Sequence, residues 1–196
     1  MEQPVDFMNM ETSKEPEFPI AAKMSRDEVH VTGREAVEWL DSKGYGFKFR
    51  EDFLVLRPFE ALYLMSQNKL VLYHGSKQVI FNQYLKILEK TDSKIWLRYL
   101  IYKDLRDKGY VVKDGYGFDI DFKVYEAGDY GSKPAKYLVY GVAEGTPIPV
   151  TKLYNILRHS YSLRKTLIIA TVDRRSEIVY YMLSSLLLGK ETRGEQ

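Results

Sequence analysis

Residues 105–125, LRDKGYVVKDGYGFDIDFKVY, decide the fold of this chain. The stretch opens with charge at Arg106 and Lys108, and Gly109 follows where helices commonly end in a left-handed residue. A run of Tyr110, Val111 and Val112 meets Asp114-Gly115, and the chain returns as Phe118, Ile120, Phe122 and Val124, apolar at every second position. Asp-Gly between two alternating runs is a hairpin signal, so the stretch predicts helix, stop, and a hairpin turning at Asp114-Gly115.

Upstream, Ser93 stands as the cap of a helix over 94–108 whose apolar face is Leu97, Leu100, Ile101 and Leu105, thickened by Trp96, Tyr99 and Tyr102. Downstream, residues 136–142 are apolar at almost every position, which marks a strand covered on both faces. After a loop over 143–149, Thr151 caps a helix that buries Leu153, Ile156 and Leu157 and ends near Arg164. A second central strand over 166–172 and a last strand over 177–183 follow. Residues 92–188 therefore predict an α/β domain, a mixed sheet flanked by helices.

Residues 28–91 predict a smaller α+β domain. A strand at 28–31 leads to Thr32 and Glu35, spaced as a capping box, and to a helix over 35–43 with Ala36, Trp39 and Leu40 on one stripe. Residues 45–56 read as extended. Pro58 suits the first turn of a helix that buries Leu62, Tyr63 and Met65 and stops at Asn68. A strand over 70–73 follows, and Ser76 reads as the cap of a third helix over 77–90. Residues 1–27 and 189–196 are polar and aperiodic, and are expected to be flexible tails.

The composition bounds the chemistry. There is no cysteine, and the three histidines, His30, His74 and His159, are scattered without metal-ligand spacing, so no metal and no cofactor is expected. Lys and Arg total 29 against 27 Asp and Glu, so any nucleic-acid contact must be a local patch. No run of about 18 apolar residues is present to span a bilayer, and the acidic first residues lack the charged region and apolar core of a secretory signal. A cytoplasmic protein without a membrane partner is expected. Scarce Asn and Gln beside abundant Glu, Lys and Arg is the usage of heat-adapted chains.

The order YKDLRDKGY, GFDIDFKVYEAG, AKYLVYGV, LRHSYSLRKTLIIATVD, EIVYYML, over residues 97–183, resembles the archaeal tRNA-intron endonucleases, and PFEALYLM is similar to their N-terminal domain. The resemblance implies a metal-independent cleavage of precursor tRNA. The ribose 2′-hydroxyl attacks the adjacent phosphorus and leaves a 2′,3′-cyclic phosphate and a 5′-hydroxyl. The family uses Tyr, His and Lys as base, acid and charge stabiliser.

On that resemblance the tyrosine maps to Tyr125 and the lysine to Lys165, while Pro134 takes the place of the histidine. Of the two arginines that fix bulged bases, Arg158 stands at the first position and Tyr180 at the second. The resemblance further implies pairing through the last strand, here Ile178, Tyr180 and Met182 with Leu186 and Leu187 beyond it. It also implies docking by the loop over 143–149, which carries Glu144 as its one acid. The reading that follows is a structural subunit of a tRNA-splicing endonuclease, partnered with a catalytic paralogue in a two-by-two hetero-oligomer. The alternatives are an active endonuclease using Tyr125 and Lys165, and a non-enzymatic RNA-binding or scaffold module.

Overall fold

Period-two hydrophobicity in both halves of the chain produces two mixed sheets. The computed structural model describes residues 16–25, 28–117 and 119–183. In the first sheet β1 (Ile20–Ser25), β2 (Glu28–Thr32), β3 (Phe47–Arg50), β4 (Phe53–Leu56), β5 (Leu70–His74) and β6 (Lys77–Val79) lie in the order β3-β4-β2-β1-β5-β6. The pair β1–β5 is parallel and the others are antiparallel. Helices α1 (Arg34–Ser42), α2 (Pro58–Ser66) and α3 (Phe81–Leu88) complete this half.

The second sheet follows helix α4 (Ile95–Asp107). Its strands are β7 (Val111–Gly117), β8 (Ile120–Tyr125), β9 (Tyr137–Ala143), β10 (Thr166–Val172) and β11 (Ile178–Leu183), in the order β11-β10-β9-β8-β7. The apolar strand β9 is central, and its pairing with β10 is parallel, bridged by helix α5 (Val150–Ser162). The α+β and α/β mixed-sheet architecture expected from the sequence is the one observed.

Helix α4 joins the halves. On one side it meets α2, where the Phe59 and Tyr102 rings lie 4.9 Å apart and Tyr63 donates its hydroxyl to Asp107 at 2.9 Å. On the other it covers the sheet face that carries Val112, Phe122, Val124, Val139, Ala170 and Val172, and one continuous core holds both contacts. The opposite face is covered by α5 through Leu138, Ile156, Leu167 and Ile169.

Several local expectations are corrected. The flexible tail expected to residue 27 gives way over Ile20–Ser25 to β1, a strand held between β2 and β5 by long-range pairing. Residues 1–15, the tail over 189–196, and Leu186 and Leu187 lie outside the described residues. Asp114-Gly115 is not the hairpin turn: it lies within β7 at an irregularity, and the chain reverses between Gly117 and Ile120. Gly115 is required there because a Cβ would stand 1.8 Å from the Ile120 carbonyl oxygen.

Ser76 does not cap a helix. Residues 75 and 76 turn the β5–β6 hairpin, and the helical register begins only at Phe81. The α1 cap is Gly33, without a side-chain hydrogen bond from Thr32. At α4, Asp92 rather than Ser93 accepts the Lys94 amide, at 2.8 Å. Helix α5 begins at Val150, after Pro149, rather than behind a Thr151 cap.

Candidate functional site

Tyr125 is the last residue of β8, and Lys165 immediately precedes β10. The ladder fixes their relation. Val124 pairs with Tyr137, Tyr137 pairs with Thr166, and the Lys136 amide donates to the Val124 carbonyl while Lys136 accepts from the Thr166 amide. Tyr125, Lys136 and Lys165 thus begin one row across three adjacent strands, with Tyr125 and Lys165 about 10 Å apart at the backbone. Both side chains belong to the face that α5 covers, since Lys165 is two residues from Leu167 and Tyr125 two from Lys123, the partner of Leu138.

Local structure puts Lys165 there. Arg164 adopts a left-handed conformation (φ 54°) at the end of α5, and the Lys165 amide reaches back to the Ser160 carbonyl at 2.9 Å, which turns the chain directly into β10. The Lys165 ammonium donates to the Ala135 carbonyl at 2.5 Å. That carbonyl belongs to the residue after Pro134, so the site lysine and the segment that would carry the family's histidine do meet. Tyr125 stacks edge-on against Tyr130, centroids 5.1 Å apart.

The other titratable groups at this end of the sheet are committed. Lys133 bonds Asp129 at 2.8 Å, and that contact holds its ammonium above the usual lysine value. Lys136 bonds Glu126 at 2.5 Å and is likewise raised, while Glu126 is lowered. Pro134 is exposed and has no ionisable group. His159 lies on α5 with its Nε2 buried, while His30 and His74 belong to β2 and β5 of the other half.

The remaining expected positions separate. Arg158 is exposed on α5. Tyr180 lies on the opposite sheet face, packed under α4, where its hydroxyl donates to Asp104 at 2.6 Å and the Lys108 ammonium sits 4.7 Å over its ring. Burial and that hydrogen bond push the Tyr180 phenol far above its usual pKa. Glu144 is exposed just past β9, at the far end of the sheet from Tyr125.

On the edge strand β11, Ile178 and Tyr180 pack inward. The exposed side chains are Val179 (51%), Tyr181 (54%) and Met182 (63%). Val179 and Tyr181 were not among the expected contact residues, although alternation along 178–183 offers both faces.

Two groups escape a reading by resemblance. Lys123 lies on the Tyr125 face. It is half-buried, and burial lowers its ammonium below the usual lysine value against the raising effect of Asp114. Lys113, across from Lys123 on β7, is buried and turns its ammonium away to the Gly44 and Gly46 carbonyls. It faces the buried Glu60, whose carboxylate accepts the Gly46 amide at 3.0 Å and the Arg57 amide at 2.8 Å.

Comparison with known proteins matches the tRNA intron endonuclease N-terminal domain at residues 20–85 and the tRNA intron endonuclease catalytic C-terminal domain at residues 95–180. A tRNA-splicing endonuclease of Methanococcus maripaludis is 34% identical over 174 residues, which is 88% of this chain and 98% of that protein. The chain belongs to the tRNA-intron endonuclease family. A second member, the tRNA-splicing endonuclease of Thermococcus onnurineus, is 30% identical over 165 residues, 84% of this chain and 95% of its own length. Both family segments meet at α4, which the catalytic-domain match includes. Among the described residues, no helix is long and apolar enough to cross a membrane.

Proposed function

We propose that this chain is a structural subunit of a tRNA-splicing endonuclease that excises introns from precursor tRNA. It would support and position a paralogous catalytic subunit in a two-by-two assembly. One observation supports the reading: Tyr125 and Lys165 begin one row at the head of β9, Lys165 reaches the Ala135 carbonyl, and the residue before it, which the resemblance assigns to the acid, is Pro134.

Transesterification at phosphorus needs a base for the 2′-hydroxyl, a cation for the phosphorane and an acid for the departing 5′-oxygen. Tyr125 and Lys165, in one row of the sheet, are the candidates for the first two, since a phenol with a reference pKa of about 10 needs a nearby cation to act near neutral pH. The third is missing. Proline cannot donate a proton, and Lys133 and Lys136 are held above the ordinary lysine range by their carboxylate partners, which makes both poorer acids. Such a chain can keep the fold and the backbone contacts while a histidine-bearing relative performs the cut. Pairing through the β11 edge fits this role, with Val179, Tyr181 and Met182 as its exposed surface.

The test is cleavage of an intron-containing precursor tRNA, with chelator present, by this chain alone and mixed with a histidine-bearing paralogue. Cutting that appears only in the mixture, and persists when Tyr125→Phe is introduced into this chain, is the expected result. Cutting by this chain alone overturns the reading.

A further inference from the structure

The first sheet is covered on one side. There Leu54, Val31, Ala22 and Leu72 pair across β4, β2, β1 and β5, each at most 1% exposed, in one core with Leu40 of α1 and Leu62 of α2. Side chains alternate along a strand, so the neighbouring row belongs to the other side. It runs through all six strands as Phe47, Val55, His30, Lys23, Tyr73 and Gln78. Lys23 and Gln78 are exposed, and His30 and Tyr73 are partly so. At the β3 end of this face a groove of about 360 Å³ opens, lined by Phe47, Phe49 and Val55.

The edge strand β3 adds to this face. Its ladder with β4 shifts between Lys48 and Arg50, so Phe49 and Arg50 both stand opposite Phe53, and a bulge of this kind re-aims side chains. The Phe49 ring lies 6.1 Å from the Phe53 ring, the Arg50 guanidinium stands 5.6 Å over that same ring, and His30 meets it edge-on at 5.2 Å. Phe47 is 41% exposed and Phe49 68%, about 7 Å apart along the strand. Arg57 and Lys113 hold one flank of the Phe47 ring, at 5.2 and 4.9 Å. The acids at the margin are committed, Glu28 to His30 at 3.1 Å, Glu51 to Lys48 at 3.5 Å and Asp114 to Arg57 at 3.1 Å, with Asp52 in the β3–β4 turn. Lys23 and Arg50 have no ion-pair partner among the described residues.

Exposed rings with unpaired cations beside them complement a flat base joined to a phosphate. An apolar protein surface would leave Lys23 and Arg50 buried without a counter-charge, and the bulge spoils β3 as an edge for a further strand. Aromatic side chains beside a basic track hold single strands by stacking on their bases, which a duplex keeps stacked on each other. We propose that this open face binds a single-stranded stretch of RNA, with bases on Phe47 and Phe49 and the backbone on Arg50 and Lys23. The proposal rests on the reading of precursor tRNA as the substrate, and it gives the N-terminal half a share in holding it.

The experiment measures binding of the full chain to a short fluorescein-labelled oligoadenylate, and to a self-complementary RNA duplex of similar length, by anisotropy across a series of salt concentrations. Phe49→Ala weakens single-strand binding by about 5- to 100-fold, the range of one lost base stack. Phe49→Leu, which keeps apolar bulk without the ring, weakens it as well. Lys23→Gln and Arg50→Gln each lower the slope of log affinity against log salt by about 0.7. Trp96→Leu, which removes an exposed ring on α4, is the control and leaves binding unchanged. Equal thermal melting of the variants shows that lost binding is not lost folding.

No binding of the single strand by the parent chain, a preference for the duplex, or full affinity in Phe49→Leu overturns the proposal. So does an altered oligomeric state of Phe49→Ala in light scattering with RNA affinity unchanged, which assigns the face to a protein contact. These outcomes leave the structural-subunit reading in place, since cleavage in the mixture with a paralogue decides that reading. Cutting by this chain alone removes the subunit reading and leaves the stacking face standing.

Discussion

Replacing Lys113 with methionine removes one buried ammonium while keeping most of its volume. Lys113 is 5% exposed and donates to the Gly44 carbonyl at 3.2 Å and to that of Gly46. Glu60, 1% exposed, accepts two backbone amides and has Lys113 as the foremost of the influences that lower its pKa. The substitution strips two carbonyls of a donor and leaves Glu60 in the core with Arg106 as its remaining cation. Leaving these two buried carbonyls without their donor costs about 1–3 kcal/mol each. For a chain of this size that lowers Tm by on the order of 10 °C.

The pH dependence has a definite sign. Burial raises the folded-state pKa of Glu60, and Lys113 lowers it, so the methionine variant raises it further. Between the unfolded carboxylate value and that folded value, the folded chain binds a proton that the unfolded chain has released. Stability in the variant therefore falls as pH rises through this window, by up to about 1.4 kcal/mol per pH unit. Urea denaturation at several values between pH 5 and pH 8 reads both the loss and its slope. Adding Glu60→Gln removes the titrating group, so the double variant flattens the slope and regains part of the loss at high pH. A Lys113→Met chain within about 1 kcal/mol of the parent and with the parent's pH slope would refute both the carbonyl contacts and the electrostatic coupling to Glu60.

Gly115→Ala places a Cβ 1.8 Å from the Ile120 carbonyl oxygen, a backbone atom that cannot swing aside. The β7–β8 pairing must shift, and denaturation should show a loss above about 4 kcal/mol or a chain that does not fold. Tyr180→Phe deletes the hydroxyl that donates to Asp104 at 2.6 Å and keeps the ring under α4. A loss of about 1–2 kcal/mol in denaturation is expected. Unchanged stability would contradict the Tyr180–Asp104 hydrogen bond.

The sequence made legible those features whose causes are local. Gly109, Pro58 and the apolar run of β9 specify their elements through backbone freedom, a fixed φ and two-sided burial. It was misleading where pairing with a distant segment decides. Val79 and Ile80 continue the helical spacing of α3, yet Val79 pairs with Leu72 and starts nothing helical. The IAAKMS segment has no telling pattern because its stability comes from its neighbours on both sides, β2 and β5.

The site divides the same way. Tyr125, Lys165 and Pro134 come to notice only by resemblance, because each sits at a fixed place relative to a strand end. Lys113 and Lys123 are two lysines directly opposite each other on β7 and β8, and nothing in their own segments distinguishes them. One becomes a buried strut and the other stays half-buried because the loop carrying Gly44 and Gly46 folds over the first.

Helix α4 carries a consequence for how the chain can be divided. The two family segments are separated in sequence only by residues 86–94, but no seam exists there in three dimensions, since Tyr102 touches both Phe59 of α2 and Phe122 of β8. A protein cut at that junction would leave the catalytic-type half with a wet aromatic face where α2 had been. The two segments are modular as text but share one core, so the whole chain is expected to melt in a single transition.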